Sequence, residues 1–399
     1  MYQTTVSFPA PLTPLDYCTE AALARENQDV FETTWQLVGL ASSINVPGQY
    51  LAVEVGRIPV VVRNFDGEFS ALLNVCAHRH CTLVSAATGH SEKLKCPYHG
   101  WEYGADGRTR KIPAAKNFPD FDRERYRLSK FSLERCGDLL FVRIASYGPS
   151  LKDWMGELFE RFEEWTSSPS WKPVIHRTVP APSNWKIPVE VSLESYHIPE
   201  IHPQSFGEDP GESESQHSFS PYTTSFFTSF IGPRLIDRFM HRYERFLLRI
   251  MGAPFLGKYQ HHHVFPNLLI SHTDSLTLFQ VVRPTGASTS FSDVWQYGRQ
   301  SSRKNPLSRL TAAIWARVTA WLSYQVLKED LQIFRHVQRG EQAAADTSIF
   351  GRCEERLHAF QNFLAEQIQR ADGLRTSGTM NGSESLPKAV IDKTNSEQN

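Results

Sequence analysis

The chain has 399 residues, of which 40% are hydrophobic and 12% aromatic, and its formal net charge is −1. That length allows two or three domains with sizeable cores. The even balance of charge gives no electrostatic case for binding nucleic acid or an anionic membrane.

The start, "MYQTTVSFPAPLTPLDY", lacks the basic and apolar regions of a signal peptide. No apolar run approaches the roughly 18 residues of a membrane span. Six cysteines, at 18, 76, 81, 96, 136 and 353, are too sparse for a secreted disulfide scaffold. A cytoplasmic protein is expected, in which clustered cysteines bind metal.

Residues 13–40 carry apolar side chains at helical intervals, with Gly39 near the end, and predict a helical segment. From 46 onward come short β-rich runs, "QYLAVEVG", "IPVVVRN" and "FSALLNV", with Asp66-Gly67 as a hairpin signal between the last two. "GDLLFVRIA" extends this texture to 145, so residues 40–145 read as a small antiparallel β domain. Beyond it the chain is mixed α+β. Residues 151–166 read as a helix, "HHHVFPNLLISH" and "SLTLFQVVRP" as strands, and 307–340 and 351–370 as long helices. Residues 205–222 read as a polar acidic loop, and 371–399 as a tail with few large apolar residues.

Two stretches of the β domain pair cysteine with histidine. "CAHRHC" contains Cys76-x-His78, and "CPYHGW", after seventeen intervening residues, contains Cys96-x-x-His99. A structural zinc site is one reading. Zinc fingers, however, usually pair Cys with Cys and His with His, whereas here each loop offers one of each. That mixture suits a Rieske 2Fe–2S cluster, with two thiolates on one iron and two imidazoles on the other.

"CAHRHC…CPYHGWEYGADG" resembles the Rieske domain of Rieske non-haem iron oxygenases, the aromatic-ring-hydroxylating type. Rieske proteins of cytochrome bc complexes carry an extra disulfide across the two loops. Cys81 stands in the place of one partner but Tyr98 in that of the other, so the resemblance favours the oxygenase branch. His80 replaces the Gly that the oxygenase pattern usually has after His-Arg, and is read as a loop-surface residue.

A second site is expected in "NWKIPVEVSLESYHIPEIHP" (184–203). His197 and His202 would stand about 140° apart on a continuous helix, but Pro199 disfavours one and biases Ile198 away from the helical region. A broken helix could turn both imidazoles to one point. The segment is similar to the family's catalytic stretch: Asn184-Trp185-Lys186, an acidic residue (Glu194), Tyr196-His197 and His202. The resemblance implies a 2-His-1-carboxylate triad on mononuclear non-haem Fe(II). Its third ligand is expected in "YQVLKEDLQIFRHVQRG", with Asp330 chosen over Glu329 by the family's register. Glu190-Val191 departs from the family's frequent Glu-Asn, which puts one polar pocket contact in doubt. "HHH" at 261–263 is read as sheet or pocket lining. The basic amphipathic run 234–250 is read as a helix packed over the pocket rather than a membrane-contacting one.

The resemblance spans about residues 10–370 and implies an α+β fold. A small antiparallel Rieske domain (40–148) stands beside a larger catalytic domain (149–372) with a central antiparallel sheet and long C-terminal helices. An N-terminal helical segment (1–39) packs on the catalytic domain, and 373–399 form a disordered tail. It further implies a cluster held by Cys76, His78, Cys96 and His99 and a catalytic set of Glu194, His197, His202 and Asp330. The chain has no Gly-rich dinucleotide fingerprint or plant-type ferredoxin set, so electrons come from NAD(P)H through a separate reductase, in some systems with a ferredoxin. The expected partners are O₂ and a small organic substrate, with neither nucleic acid nor membrane, in a homotrimer of head-to-tail subunits. In the family the residue at Glu194 bridges to a cluster histidine of the adjacent subunit. "LESYH" is also similar to glycine-betaine and carnitine monooxygenases, so a quaternary ammonium substrate stands beside a ring compound. A Rieske electron carrier without oxygenase activity is the rival from another class.

Overall fold

The computed structural model describes residues 2–376, which form two compact units, one built on Glu26–Asp153 and the other on Met1–Arg25 with Trp154–Glu366. The first unit contains β1 (Gln36–Leu40), β2 (Gln49–Val55), β3 (Ile58–Phe65), β4 (Glu68–Leu73), β5 (Thr88–His90), β6 (Leu94–Lys95), β7 (Glu102–Tyr103), β8 (Thr109–Lys111), β9 (Lys130–Cys136) and β10 (Leu139–Arg143). Seven strands form one antiparallel sheet in the order β1-β10-β9-β4-β3-β2-β5, and β6, β7 and β8 form a smaller one.

Alternation along β3 and β4 divides their side chains between two cores. Val60, Val62, Ala71 and Leu73 face one, with Leu140 and Val142. Val61 and Leu72 face the other, with Leu83, Leu94, Trp101 and both Cys76 and Cys96. The β3–β4 hairpin turns at Asp66 (φ 52°) and Gly67 (φ 100°), the two positive values that a two-residue turn matched to strand twist requires.

The region before this sheet differs from the sequence reading. A single 3-10 turn covers Pro14–Tyr17, α-helix covers Glu20–Glu26 and continues in a wider turn to Phe31, and Gln36–Leu40 is a strand with all five residues buried. "QLVGL" has too few residues for periodicity to separate strand from helix, and pairing with β10 decides it.

The second unit contains α1 (Leu158–Ser167), β11 (Trp171–Ala181), α2 (Lys186–Ser192), α3 (Ile198–Ile201), β12 (Gln216–Ser220), β13 (Thr223–Thr228), α4 (Leu235–Met251), β14 (Tyr259–Val264), β15 (Leu268–His272), β16 (Leu276–Gly286), β17 (Thr289–Arg299), α5 (Pro306–Glu341) and α6 (Glu355–Thr376). Its seven strands form an antiparallel sheet in the order β11-β17-β16-β15-β14-β13-β12. The expected acidic loop 205–222 thus supplies the edge strand β12. Of the expected tail, 373–376 close α6 and the remainder lies outside the described residues.

α5 begins at Asn305, whose side chain accepts the Ser308 N–H at 2.9 Å, with Pro306 where the missing N–H costs nothing. Small residues let it lie close to the sheet. Ala312, Ala316 and Ala320 are buried, and a Cβ on Gly298 of β17 would stand 2.6 Å from that of Ala316.

α4 is a helix, as its pattern predicts, and its Tyr243 meets Trp315 of α5 edge-on with ring centroids 5.9 Å apart. Phe239, Tyr243 and Phe246 are exposed, while Leu247, Leu248 and Met251 form its buried stripe.

Candidate metal centres

In the second unit, α2 ends at Ser192 and α3 begins after His197, so the chain is broken between the two, as a shared focus for His197 and His202 requires. The break does not come from Pro199, which occupies the first turn of α3 and leaves Ile198 helical. α5 brings Asp330 to the same point. The ligand atoms of His197, His202 and Asp330 all lie within 4.8 Å of one another, and no other such group occurs among the described residues.

Each imidazole is fixed by a second carboxylate. Glu194 accepts the His197 N–H at 3.1 Å and sits 2.5 Å from its Nδ1. Glu329 sits 2.6 Å from His202 Nδ1 and takes the Ser205 hydroxyl on its other oxygen at 2.8 Å. Both Nε2 atoms therefore turn toward Asp330 Oδ1, at 3.7 Å for His197 and 2.9 Å for His202. Asp330 Oδ1 is buried, with His202 Nε2 the nearer of the two ring nitrogens that face it. Burial pushes the His202 pKa down, but hydrogen bonds and charge from Asp330 and then Glu329 outweigh it, and the net shift is upward. Two imidazole Nε2 atoms facing one carboxylate oxygen are a donor set for one divalent cation, and the residues fit iron.

The adjacent acids thus have separate positions. Asp330 joins the triad, and Glu329 orients His202. Glu194 and Asp330 had a motif or register behind them, whereas nothing in the sequence marked Glu329 as an orienting group. Glu190 lies outside this set. It is half-buried, accepts from Tyr17 Oη at 2.5 Å and Gln361 Nε2 at 2.9 Å, and desolvation raises its pKa to about 7 against those two hydrogen bonds. His261, His262 and His263 are buried in β14 with separate partners, Arg356, Ser225 and the Pro266 carbonyl, as sheet residues rather than a cluster.

In the first unit the two Cys/His loops share one backbone design. The Cys76 carbonyl accepts the His80 N–H and the Cys96 carbonyl accepts the Gly100 N–H, both at 3.0 Å. His80 and Gly100 both have positive φ, 55° and 72°. His80 thus occupies the turn position of the family's Gly and is exposed, as a loop-surface residue. Cys76 and Cys96 are buried, His78 is half-buried and His99 exposed. The rings of His78 and His99 lie 4.6 Å apart, and Trp101 stacks on His78 at 4.8 Å.

No three of these four bring ligand atoms within 4.8 Å of one another, which is too open for one tetrahedral zinc but fits two irons bridged by sulfide. His78 Nδ1 is buried without a partner, as a ligand atom awaiting its metal would be. Cys81 is a free thiol. Tyr103, quoted in the motif but given no role there, lies with Oη 3.0 Å from Cys76 Sγ while accepting the Ala77 N–H at 3.1 Å. Burial raises the pKa of Cys76, with the Tyr103 hydrogen bond opposing it.

The Rieske [2Fe–2S] domain pattern matches residues 34–126, and the ring hydroxylating alpha subunit (catalytic domain) pattern matches 162–370, just over half of the chain. The glycine betaine monooxygenase oxygenase subunit of Pseudomonas aeruginosa is 31% identical over 199 residues, 50% of this chain and 45% of that protein. The chain therefore matches about half the length of that relative. Similar folds occur in the quaternary ammonium Rieske monooxygenase CntA with L-carnitine (TM-score 0.71, 18% identity, 91% of this chain and 96% of that one) and in a mutant naphthalene 1,2-dioxygenase bound to phenanthrene (TM-score 0.69, 20% identity, 93% and 96%). One broken helical stretch, a distant carboxylate and paired Cys/His loops are thus the parts of one known plan, and the chain belongs to the ring hydroxylating alpha subunit family, with a Rieske [2Fe–2S] domain ahead of its catalytic domain in sequence.

Proposed function

We propose that the protein is the terminal oxygenase component of a Rieske non-haem iron oxygenase, acting on a small organic substrate with O₂ and with electrons from a separate NAD(P)H-dependent reductase. The convergence of His197, His202 and Asp330 carries this reading, because an electron carrier has no use for a second, three-ligand metal site. An iron bound by these three supplies O₂ activation, and a 2Fe–2S cluster bound by Cys76, His78, Cys96 and His99 supplies stored electrons. The protein's own residues prepare both sites. Glu194 and Glu329 hold the Nδ1–H of the two imidazoles, which leaves each Nε2 lone pair free for metal. Tyr103 donates to Cys76 Sγ, while Trp101 shields His78 from water. A cytoplasmic homotrimer is proposed on the family resemblance.

For the substrate, a ring compound is the first reading. A quaternary ammonium compound is the second, supported by Glu at position 194 and by the betaine relative. Incubation of the iron-loaded chain with reductase, O₂ and a panel of both classes is expected to give an oxygenated product from one class. Coupled electron consumption with no product from any substrate, and no second iron site, would leave only the electron carrier.

Glu194 gives a sharper test. Glu194→Gln keeps the shape but weakens a charge-assisted hydrogen bond. Both metal sites are expected to fill, while oxidation of the cluster in a single turnover with substrate and O₂ slows by roughly tenfold or more, about 1.4 kcal/mol of barrier. An unchanged rate would remove Glu194 from the proposed bridge between adjacent subunits.

A further inference from the structure

α4 and α5 pack against each other through Leu247, Leu248 and Met251 on one side and Ala312 and Trp315 on the other. Each also carries a second apolar stripe facing outward. On α4, Leu235 is 84% exposed, Phe239 59% and Phe246 58%; on α5, Leu310 is 58% exposed, Ile314 54% and Trp321 57%. Positions 307, 310, 314 and 321 recur at helical spacing, well away in phase from buried Ala312 and Ala316. Single exposed leucines are ordinary on a protein surface, but an aligned set on two packed helices is not.

The charge around these stripes is as one-sided as the net charge of the chain is even. Segments 234–251 and 303–322 hold nine Arg and Lys against Asp237 and Glu244, in a chain of net charge −1. Arg238, Arg242, Arg245 and Arg249 are exposed. Of the nine, only Arg234 makes an ion pair among the described residues, with Asp237. Large apolar side chains interleaved with unpaired arginines complement a surface that is anionic outside and apolar just beneath, the headgroup zone of a charged bilayer.

We propose that α4 and the first half of α5 dock the protein on a lipid surface bearing anionic phospholipid, with the helices lying in the interface. No described helix is long and apolar enough to cross a membrane, so the contact is peripheral. A second copy seated two-fold on this face would bring like charges together, and a head-to-tail copy would need an acidic face to meet it, whereas an anionic lipid surface supplies the complementary charge and the apolar layer together. The proposal stands on these helices and does not depend on the oxygenase reading.

The test is sedimentation of the iron-loaded protein with vesicles of phosphatidylcholine alone or with roughly one third phosphatidylglycerol. Anionic vesicles are expected to bind at least about tenfold more strongly at low salt, and added salt should weaken that binding. Phe239→Ser with Phe246→Ser should abolish it, and Arg242→Gln with Arg245→Gln should weaken it; these side chains are exposed, and circular dichroism checks that both variants fold. Wild-type protein that pellets equally with and without anionic vesicles overturns the proposal. So does an assembly that shrinks in light scattering on Phe239→Ser with Phe246→Ser while wild type ignores vesicles, since that gives the face to a second copy.

Discussion

Asp330→Asn is expected to keep the visible absorption of the cluster but lose the mononuclear iron, so that iron falls from about three to about two per chain. Product formation should drop by at least about a thousandfold, or about 4 kcal/mol of barrier. The neutral amide preserves shape and removes the one anionic oxygen that both Nε2 atoms face. Glu329→Gln should behave differently. It leaves the three proposed ligands in place and weakens only the support behind His202, a change of about 10–100-fold in metal affinity. Iron retention against a graded chelator separates the two variants. If Glu329→Gln empties the site and Asp330→Asn does not, the assignments are reversed.

Cys96→Ala is expected to abolish the cluster's visible absorption and all reductase-driven turnover while one mononuclear iron remains. Cys96 is buried in the same core as Cys76 and Trp101, so the lost thiolate cannot be replaced by water without opening that core. Cys81→Ala is the control. Its thiol is free and donates to the Thr82 carbonyl at 3.4 Å, and its loss should leave the absorption intact. Absorption that survives Cys96→Ala, or disappears with Cys81→Ala, would mean that the ligand set is misassigned.

The parts of the two centres that were legible in the sequence are those held by short covalent spacing. Cys76-x-His78, Cys96-x-x-His99 and His197-x4-His202 each span at most six residues, so chain geometry alone keeps each pair together. Asp330 lies 128 residues from His202, and only the family's register singled it out from Glu329. What Glu329 does instead depends on helix phase and on the position of Ser205, neither of which a single chain of letters displays. Tyr103 was hidden for a related reason, since a tyrosine on a short strand has no pattern until its partner is known. Aromatic periodicity on a helix is the same whether its outward stripe meets protein, lipid or water, so the letters of α4 do not choose its cover. The net charge is silent for a parallel reason, because a sum over the chain does not register the local excess of Arg and Lys on α4 and α5. β1 was lost in a helical rhythm that pairing with β10 overrode.

α5 runs 36 residues, with its only proline at the first position. Helix fraying is confined to the last turns of such a rod, and Asp330 stands 24 residues in from Pro306, roughly 36 Å along the axis. Damage to the Asn305 cap would therefore cost stability at one end without reaching the metal-facing carboxylate. By the same stiffness, whatever settles on the outward half of α5 can influence Asp330 only by displacing or rotating the helix as one body. Local adjustments there are mechanically silent where Asp330 meets His197 and His202, so the surface of α5 can change what it touches without shifting that carboxylate.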